Sequence, residues 1–239
     1  MKLAILTTLW KRPELSRIVL EYYRDLEIEG VEFVLLAVGS DKESKDLAND
    51  CGWGYVKAKN APLSNKWNAG CETLKGHVDA VLIVGSDDLL NKDYFTEAVK
   101  MLQTGQTAVG LDSLHYYSVE NGRCVYMERA YPGAGIMIAA VSLDKVDWRP
   151  WQDGVNRRID GHLMNKMQQN ATPFAYRRIK DGTKAILIDI KTDENIWTFN
   201  EMIEMIGRAT NVDGAAILDK HFPSIREKLN HLPVRLNNV

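Results

Sequence analysis

Short apolar runs alternate with stretches that carry apolar residues at helical spacing through the first half of the chain. The runs "KLAILT", "EFVLLAV" and "AVLIV" are apolar almost throughout, and a shorter "YV" run lies at residues 55–56. Pro13 opens a stretch whose apolar positions form one helical stripe, Leu15, Ile18, Val19, Tyr22 and Leu26. "SNKWNAGCETL" and residues 94–102 have the same helical character. This alternation predicts an α/β fold with a mostly parallel sheet between helices.

The second half has a different pattern. Asn121-Gly122 lies between two strand-like runs and predicts a tight antiparallel hairpin. It is followed by "GAGIMIAA", a tryptophan-containing loop, a helix around residues 159–167 and the strand "AILIDI". A capping box, Thr198 to Glu201, opens a helix expected to end near Gly207. We therefore expect residues 1–239 to form one domain, with a change of character near residue 110.

Composition narrows the class of protein. With 239 residues, 45% of them hydrophobic, the chain can bury a core of its own. Thirty Lys and Arg nearly balance 32 Asp and Glu, so no overall field attracts nucleic acid or acidic lipid headgroups. The segment 145–191 is locally basic, including the pairs Arg157-Arg158 and Arg177-Arg178, and this is either an anion-binding patch or a solvated face.

Cysteine usage and the N-terminus favour a cytoplasmic protein. Cys51, Cys71 and Cys124 are odd in number and widely spaced, which is typical of reduced thiols. The first apolar run is short and precedes Lys-Arg-Pro, so we interpret it as a first strand and not as a signal peptide. No run approaches the roughly 20 apolar residues of a membrane span.

The stretch "VLIVGSDDLL" places two adjacent carboxylates, Asp87 and Asp88, after an apolar strand. Ligands of parallel α/β sheets bind outside the carboxyl ends of the strands. Two neighbouring carboxylates repel each other, and a hard divalent ion such as Mg²⁺ or Mn²⁺ compensates this while it also binds a diphosphate. The alternative is that one of them only caps a helix that begins near Lys92.

Four stretches, "TTLWKRPE", "AVGSD", "NAPLSNKWNAG" and "VLIVGSDD", resemble the GT-A glycosyltransferases, and within them glycosyltransferase family 2. The resemblance implies a GT-A fold in which residues 1–110 bind a nucleotide-sugar and residues 111–239 bind the acceptor. It also implies Mn²⁺ or Mg²⁺ as cofactor, with Asp87 in the metal-ligand position. Gly85 stands where the family usually has its first acidic residue.

The resemblance also suggests which side chains contact the donor: Thr7, Asp41, Lys66, Asn68 and Ser86. Lys191 is a further candidate from its position, because it lies past the last strand with Asn195 and Trp197 and could reach the diphosphate. Asp41 would accept a hydrogen bond from a uracil imide, or else it only forms a turn. Lys66 lies in the first turn of a helix, where a cation is unfavourable unless an anionic ligand is bound; a solvated side chain is the alternative. Asp88 and His162 are further candidate metal ligands.

In the second half, Asp160 is the preferred catalytic base over Asp153, because family members carry an acidic motif at this stage of the chain. A charge favoured at a helix N-terminus is the alternative for Asp160. The segment 133–135, Gly-Ala-Gly, would allow close approach of a sugar or form a plain turn. Trp148 and Trp151 would form a platform for a sugar ring or belong to the core.

The implied function is metal-dependent transfer of a sugar, with inversion, from a nucleotide donor that we expect to be a UDP-sugar. The acceptor stays open between glycan, lipid-linked glycan, small molecule and modified nucleic acid. One alternative is a sugar-phosphate nucleotidyltransferase, although "TTLWKRPE" lacks the glycine-rich loop of that class. Another is a non-catalytic nucleotide- or carbohydrate-binding module, which Gly85 motivates.

Overall fold

The computed structural model describes residues 1–128, 132–180, 184–195, 198–206 and 209–232. The strands are β1 Lys2–Thr8, β2 Glu32–Gly39, β3 Gly54–Lys57, β4 Ala80–Ile83, β5 Asp88–Leu90, β6 Ala108–Leu111, β7 Ser113–Ser118, β8 Cys124–Glu128, β9 Ile136–Ala139, β10 Tyr176–Ile179, β11 Leu187–Lys191 and β12 Thr210–Val212. The helices are α1 Pro13–Arg24, α2 Lys42–Asp50, α3 Leu63–Thr73, α4 Lys92–Gln103, α5 Ala140–Asp144, α6 Ile159–Asn170, α7 Phe199–Ile206, α8 Gly214–His221 and α9 Ile225–Asn230.

A seven-stranded, mostly parallel sheet forms the centre, in the order β10-β6-β9-β4-β1-β2-β3. β9 runs antiparallel to its neighbours β4 and β6, and the other pairs are parallel. Successive residues of β1 face opposite sides: Leu3 and Ile5 join one hydrophobic cluster, whereas Ala4 and Leu6 join another. Both faces are therefore covered, as the unbroken apolar runs predict.

A second sheet has five strands in the order β12-β8-β7-β11-β5. The predicted hairpin around Asn121-Gly122 is confirmed, because β7 and β8 pair antiparallel. Its connection spans residues 119–123 and is longer than the two-residue turn that the Asn-Gly signal favours. β11 pairs parallel with β7 and antiparallel with β5. This sheet brings the second half of the chain against the carboxylates of the first.

The region after "VLIV" differs from the prediction in one respect. Asp88 does not cap the following helix; it begins the short strand β5. The N-cap of α4 is Asn91, whose side chain accepts a hydrogen bond from the Tyr94 amide at 3.2 Å. Local periodicity does not predict this three-residue strand, because its pairing partner β11 is far away in sequence.

The tryptophans of the second half belong to the core. Trp148 and Trp151 are each 1% exposed, and Trp151 also lines the cleft described below. Trp197 lies outside the described residues. Burial of both described rings agrees with the core alternative and leaves little of either surface for a sugar.

The capping box before α7 is confirmed. The Thr198 amide donates to Glu201 at 2.8 Å, and the Glu201 amide donates to Thr198 at 3.3 Å. Gly207, the expected end of this helix, lies outside the described residues. None of the helices in the described ranges combines the length and apolar character of a membrane span.

Candidate active-site cleft

A cleft of about 420 Å³ lies outside the carboxyl ends of β1 and β4. Its lining includes five predicted site residues, Ser86, Asp87, Asp88, Asp160 and Lys191. It also includes residues that the sequence did not single out, among them Thr8, Arg12, Tyr116 and Asp189. A larger groove of about 1210 Å³ along β10 shares no lining residue with it within the described ranges. The convergence of the predicted residues identifies the smaller cleft as the candidate site.

Asp87 is held from two sides. The Arg12 guanidinium donates to Oδ2 of Asp87 at 2.8 Å, and the Asn195 amide donates to the same oxygen at 2.7 Å. Arg12 and the preceding Lys11 both adopt left-handed backbone angles, φ 49° and 58°. This conformation is strained for non-glycine residues, so surrounding contacts must maintain it. Here it places the last residue before α1 against Asp87.

Asp88, Asp189 and Tyr116 form a row across three strands. The register pairs Asp189 with Asp88 on β5 and with Tyr116 on β7. Burial raises the pKa of Asp88, and the charges of Asp189 and Asp87 raise it further. Burial also raises the pKa of Asp189. Oδ1 of Asp189 is buried and has no hydrogen-bond partner among the described residues.

Lys191 supplies a second cation in the cleft. Its Nζ lies 2.8 Å from Oδ2 of Asp189 and 5.3 Å from the Tyr116 ring centroid. Burial alone would lower the pKa of Lys191, but Asp189 and Asp87 outweigh this effect and raise it. Lys191 and Arg12 together place two positive charges beside three carboxylates.

Gly85 leaves open the space in which two of these carboxylates converge. A Cβ at this position would lie 2.6 Å from Oδ1 of Asp87 and 2.6 Å from Oδ2 of Asp88. Any side chain here would therefore collide with both groups. The three carboxylates and the unpartnered oxygen of Asp189 fit the chemistry of a hard divalent ion, because Mg²⁺ and Mn²⁺ prefer carboxylate oxygens. Asp87, Asp88 and Asp189 are the residues that would hold it.

Asp160 enters the cleft from the first turn of α6. A Cβ on Gly133 would lie 1.9 Å from its Cγ, so only glycine lets the carboxyl group take this position. Asp160 stays accessible from the open cleft, but the protein around its carboxyl group displaces part of the solvent and raises its pKa. Asp153, the other candidate base, does not line the cleft; it accepts hydrogen bonds from Arg149 at 2.6 Å and Asn68 at 3.0 Å.

Four residues predicted to contact the donor, Thr7, Asp41, Lys66 and Asn68, lie outside the described lining of the cleft. Thr7 is fully buried, whereas its neighbour Thr8, on the opposite face of β1, lines the cleft. Asp41 is the N-cap of α2 and accepts a hydrogen bond from the Ser44 amide at 2.8 Å. This geometry agrees with the turn-forming alternative for Asp41, and a contact with uracil remains a prediction.

Lys66 and Asn68 are buried and bind the protein itself. Nζ of Lys66 donates to the Leu9 carbonyl at 2.6 Å and to Asn60 at 3.0 Å, and burial lowers its pKa to about 8. This burial contradicts the solvated alternative for Lys66, and its contact with the donor stays a prediction. Asn68 bonds to the backbone of Trp151 in both directions, at 3.0 and 3.1 Å. Both side chains therefore hold loops of the protein in place.

His162 does not join the carboxylates. It is half-buried on α6 and is absent from the described lining of the cleft. As the side chains stand, no three His, Cys, Asp or Glu groups within the described ranges converge closely enough to hold a metal. Oδ2 of Asp87 accepts from Arg12 and Asn195, so an ion bound by this carboxylate would compete with both partners.

Arg12 and Asp189 are among the site residues that sequence reasoning missed. A signal for Asp189 existed, because it is a lone acid within the apolar strand "AILIDI". Such a residue is costly to bury unless it is paired, so it indicates a partner elsewhere in the chain. Arg12 carried no comparable signal, since a basic residue before a helix is common at a protein surface.

Comparisons with known proteins identify the fold. No protein-family model matches the chain, and no curated protein matches it by sequence. Among solved structures, S. aureus TarS 1–349 in complex with UDP-GlcNAc has a TM-score of 0.60 at 14% identity, over 96% of this chain and 70% of that chain. A second similar structure is glucosyl-3-phosphoglycerate synthase from Mycobacterium tuberculosis in complex with Mn²⁺, UDP and glucosyl-3-phosphoglycerate. Its TM-score is 0.54 at 10% identity, over 89% of this chain and 86% of that chain.

A third similar structure belongs to another enzyme. It is 4-diphosphocytidyl-2C-methyl-D-erythritol synthase from Anaerococcus prevotii, with a TM-score of 0.51 at 11% identity, over 75% of this chain and 86% of that chain. At these identities the likeness establishes architecture and leaves the reaction to be argued from the site. The prediction of the fold is confirmed: this chain has the GT-A fold, a mostly parallel α/β sheet joined to a smaller, mostly antiparallel one.

Proposed function

We propose that the chain is a metal-dependent glycosyltransferase that moves a sugar from a UDP-sugar to an acceptor hydroxyl with inversion. The proposal rests on how the charged side chains are distributed in the cleft. Asp87, Asp88 and Asp189 lie beside two cations, and Asp160 enters separately from α6. The bound molecules of the similar structures, UDP-GlcNAc in one and Mn²⁺ with UDP in another, support this class of donor.

On the donor side, the residues can stabilise a departing diphosphate. Arg12 pairs with Asp87, and Lys191 pairs with Asp189. Both cations can donate hydrogen bonds to phosphate oxygens when these compete with the two carboxylates. A Mg²⁺ or Mn²⁺ ion held by the carboxylates would add positive charge beside the same leaving group. Asn195 supports Asp87 through its hydrogen bond of 2.7 Å.

On the acceptor side, Asp160 is positioned as the general base. The acceptor oxygen forms a bond to the anomeric carbon while the bond from that carbon to the diphosphate oxygen breaks. The electron pair leaves with UDP, and the acceptor proton moves to the Asp160 carboxylate. The raised pKa of Asp160 makes its carboxylate a better proton acceptor than an aspartate with an ordinary pKa. Attack from the face opposite to the diphosphate inverts the anomeric centre without a covalent intermediate.

The two halves of the chain divide the work in this proposal. Residues 1–110 supply Arg12, Ser86, Asp87 and Asp88, and residues 111–239 supply Asp160, Asp189 and Lys191. Asp189 and Lys191 of the second half face the donor, and Asp160 faces the acceptor, so the second half would bind the acceptor and also complete the donor site. The three cysteines are buried and free, in keeping with a cytoplasmic location.

A sugar-phosphate nucleotidyltransferase is the second candidate, because one similar structure is a 4-diphosphocytidyl-2C-methyl-D-erythritol synthase. The two reactions break different bonds of a UDP-sugar. A glycosyltransferase releases UDP, whereas a nucleotidyltransferase running in reverse with pyrophosphate forms UTP and a sugar phosphate. A module without catalysis would bind the nucleotide and release neither.

One experiment separates the three candidates. The protein is incubated with UDP-glucose or UDP-GlcNAc and Mn²⁺, with and without pyrophosphate, and the nucleotide products are resolved by chromatography. We expect slow release of UDP by transfer to water, independent of pyrophosphate and lost on addition of EDTA. UTP that forms only with pyrophosphate would establish the nucleotidyltransferase. Binding of UDP with neither product would establish the binding module.

A further inference from the structure

Arg12 neutralises the carboxylate that we assign to the divalent ion. Its guanidinium donates to Oδ2 of Asp87 at 2.8 Å, and another nitrogen of the same group donates to Oγ of Ser86 at 3.4 Å. The side chains of Arg12 and Asp87 are each 16% exposed. A partly buried ion pair of this kind is screened less by salt and water than a surface pair. Arg12 is therefore an effective competitor of a cation at Asp87.

Asn195 is a second donor to Asp87, and it carries no charge. Its amide nitrogen donates to the same oxygen, Oδ2, at 2.7 Å, and to the Ile190 carbonyl at 3.3 Å. The amide oxygen of Asn195 accepts from the Thr192 amide at 2.7 Å, which fixes the orientation of the group. Asn195 thus orients the Asp87 carboxylate by hydrogen bonding alone, whereas Arg12 adds a positive charge. Removal of the charge should leave Asp87 in place.

The backbone at Arg12 is held on both sides of the residue. Before it, the carbonyl of Leu9 accepts a hydrogen bond from the buried Lys66 at 2.6 Å. After it, the Ser16 amide donates to the Arg12 carbonyl at 2.9 Å, which begins the hydrogen bonding of α1. The left-handed angles of Lys11 and Arg12 lie between these two anchors. The guanidinium can therefore change partner by rotation of its side chain while its Cα stays beside the cleft.

The guanidinium suits a phosphate as well as a carboxylate. It is planar, it stays charged, and its five N–H donors form a fork that matches the oxygens of either group. Arg12 lines the same cleft as Ser86, Asp87 and Lys191. A diphosphate carries more negative charge than one carboxylate does. Arg12 is therefore expected to leave Asp87 for the phosphates once a divalent ion takes its place at this carboxylate.

We propose that Arg12 couples the binding of the divalent ion to the binding of the donor diphosphate. Without the diphosphate, the guanidinium competes with the ion for Asp87. The diphosphate draws Arg12 away and leaves Asp87 to the ion, and the ion in turn releases Arg12 to the diphosphate. Each ligand strengthens the binding of the other by the same factor, as thermodynamic linkage requires. This inference rests on the proposed function, because it gives Arg12 a role toward the metal ion and the donor of that function.

The test measures Mn²⁺ binding, with and without UDP, in wild type and in Arg12→Met, which keeps an unbranched side chain but removes the charge. Electron paramagnetic resonance follows free Mn²⁺, and calorimetry measures UDP. Without UDP, we expect Arg12→Met to bind Mn²⁺ about 3- to 10-fold more tightly than wild type, because its competitor is lost. With saturating Mn²⁺, Arg12→Met should bind UDP more weakly by roughly 10-fold or more, because a charge-assisted hydrogen bond to phosphate is lost. A residue that only supported the fold would weaken both ligands.

Three further variants complete the experiment. Arg12→Gln also removes the charge and should give the same two changes, so it replaces Arg12→Met if that variant fails to fold. Arg12→Lys keeps a charge and should bind Mn²⁺ without UDP about as wild type does. Arg17→Met removes an exposed cation of the same helix, which pairs with Asp50 at 3.2 Å and does not line the cleft, and it should follow wild type for both ligands.

Two results would overturn the coupling. If the wild type binds Mn²⁺ and UDP but the neutral Arg12 variants bind Mn²⁺ no more tightly than wild type in the absence of UDP, the coupling is wrong and the proposed function stands. If the wild type binds no Mn²⁺, with or without UDP, the coupling and the metal dependence of the proposed function are both wrong.

Discussion

Asp88 and Asp189 lie directly opposite each other in the antiparallel pair of β5 and β11, and burial raises the pKa of both carboxyl groups. Nothing local to either stretch of sequence requires this pairing. Lys191 compensates Asp189 at 2.8 Å, while Asp88 accepts a hydrogen bond from the Gly85 amide at 2.7 Å. The arrangement concentrates negative charge where a cation is expected to bind, and this has consequences for stability and for binding.

The first prediction concerns pH. The folded-state pKa of Asp88 is raised, so the folded protein holds this proton more tightly than the unfolded chain does. The stability from this group is therefore fully present below the unfolded pKa, and it is lost as pH rises through the folded one. Asp88→Asn removes that loss, so we expect its stability relative to wild type to increase as pH rises above about 4, the pKa of an unfolded aspartate.

Urea unfolding across a range of pH, without divalent ions, measures the effect. Glu29→Gln, which removes an exposed carboxylate outside the lining of the cleft, is the control and should follow wild type. If the free energies of unfolding of wild type and Asp88→Asn change in parallel with pH, the carboxylates of Asp88 and Asp189 do not destabilise the folded protein.

The second prediction is that Asp87 binds the divalent ion. Asp87→Asn preserves the shape of the side chain and can still accept from Arg12, so the fold should remain intact. Loss of one anionic ligand should lower the Mn²⁺-dependent affinity for UDP by roughly 10-fold or more. Calorimetry measures the affinity for UDP in the presence of Mn²⁺. Electron paramagnetic resonance measures Mn²⁺ binding from the loss of the free Mn²⁺ signal.

Asp193→Asn is the matched control for Asp87, because Asp193 is exposed and does not line the cleft. Asp88→Asn should weaken Mn²⁺ binding less than Asp87→Asn does. Unchanged Mn²⁺ binding by Asp87→Asn would remove Asp87 from the metal site.

The third prediction assigns the general base. Asp160→Asn should lower kcat for transfer by roughly 10²-fold or more, with donor affinity nearly unchanged, because the group acts in the transfer step. Initial rates with saturating donor and calorimetric affinity for UDP separate the two effects. Asp153→Asn is the control, and we expect it to retain transfer. If Asp160→Asn transfers at the wild-type rate and shows only a lower thermal midpoint, Asp160 is merely a favourable charge at the N-terminus of α6.

The fourth prediction concerns the base of the donor. If Asp41 accepts from a uracil imide, UDP should bind more tightly than ADP, and Asp41→Ala should narrow the difference. Removal of this N-cap also costs about 0.5 to 2 kcal/mol of stability. Asp41→Ser keeps a capping oxygen but shortens the side chain. It should therefore retain the stability of the N-cap and lose the preference for UDP. The affinities of UDP and ADP, measured with saturating Mn²⁺, test whether Asp41 recognises uracil. Equal affinities of the wild type for UDP and ADP would contradict this assignment.

Several features of this protein could be predicted from the sequence because they depend on local chemistry. Unbroken apolar runs predict strands buried on both faces, Pro13 marks the start of α1, and the capping box at Thr198 marks the start of α7. Asp87 follows the strand "VLIV", and ligands bind at strand ends in such sheets. Strands β1 to β4 of the central sheet and the position of the acidic pair follow from these patterns, whereas β6 and β10 of the same sheet were not predicted.

Tertiary structure decided which side chains meet. Asp189 joins Asp88 only through the register of β5 and β11, and a shift of one residue would turn it to the other face. Arg12 reaches Asp87 because two residues adopt left-handed angles that the sequence does not demand. The alternative that placed Lys66 at the surface is wrong, because this side chain is buried against the Leu9 carbonyl. Long-range pairing sets these contacts, and it leaves no periodic signal in the chain.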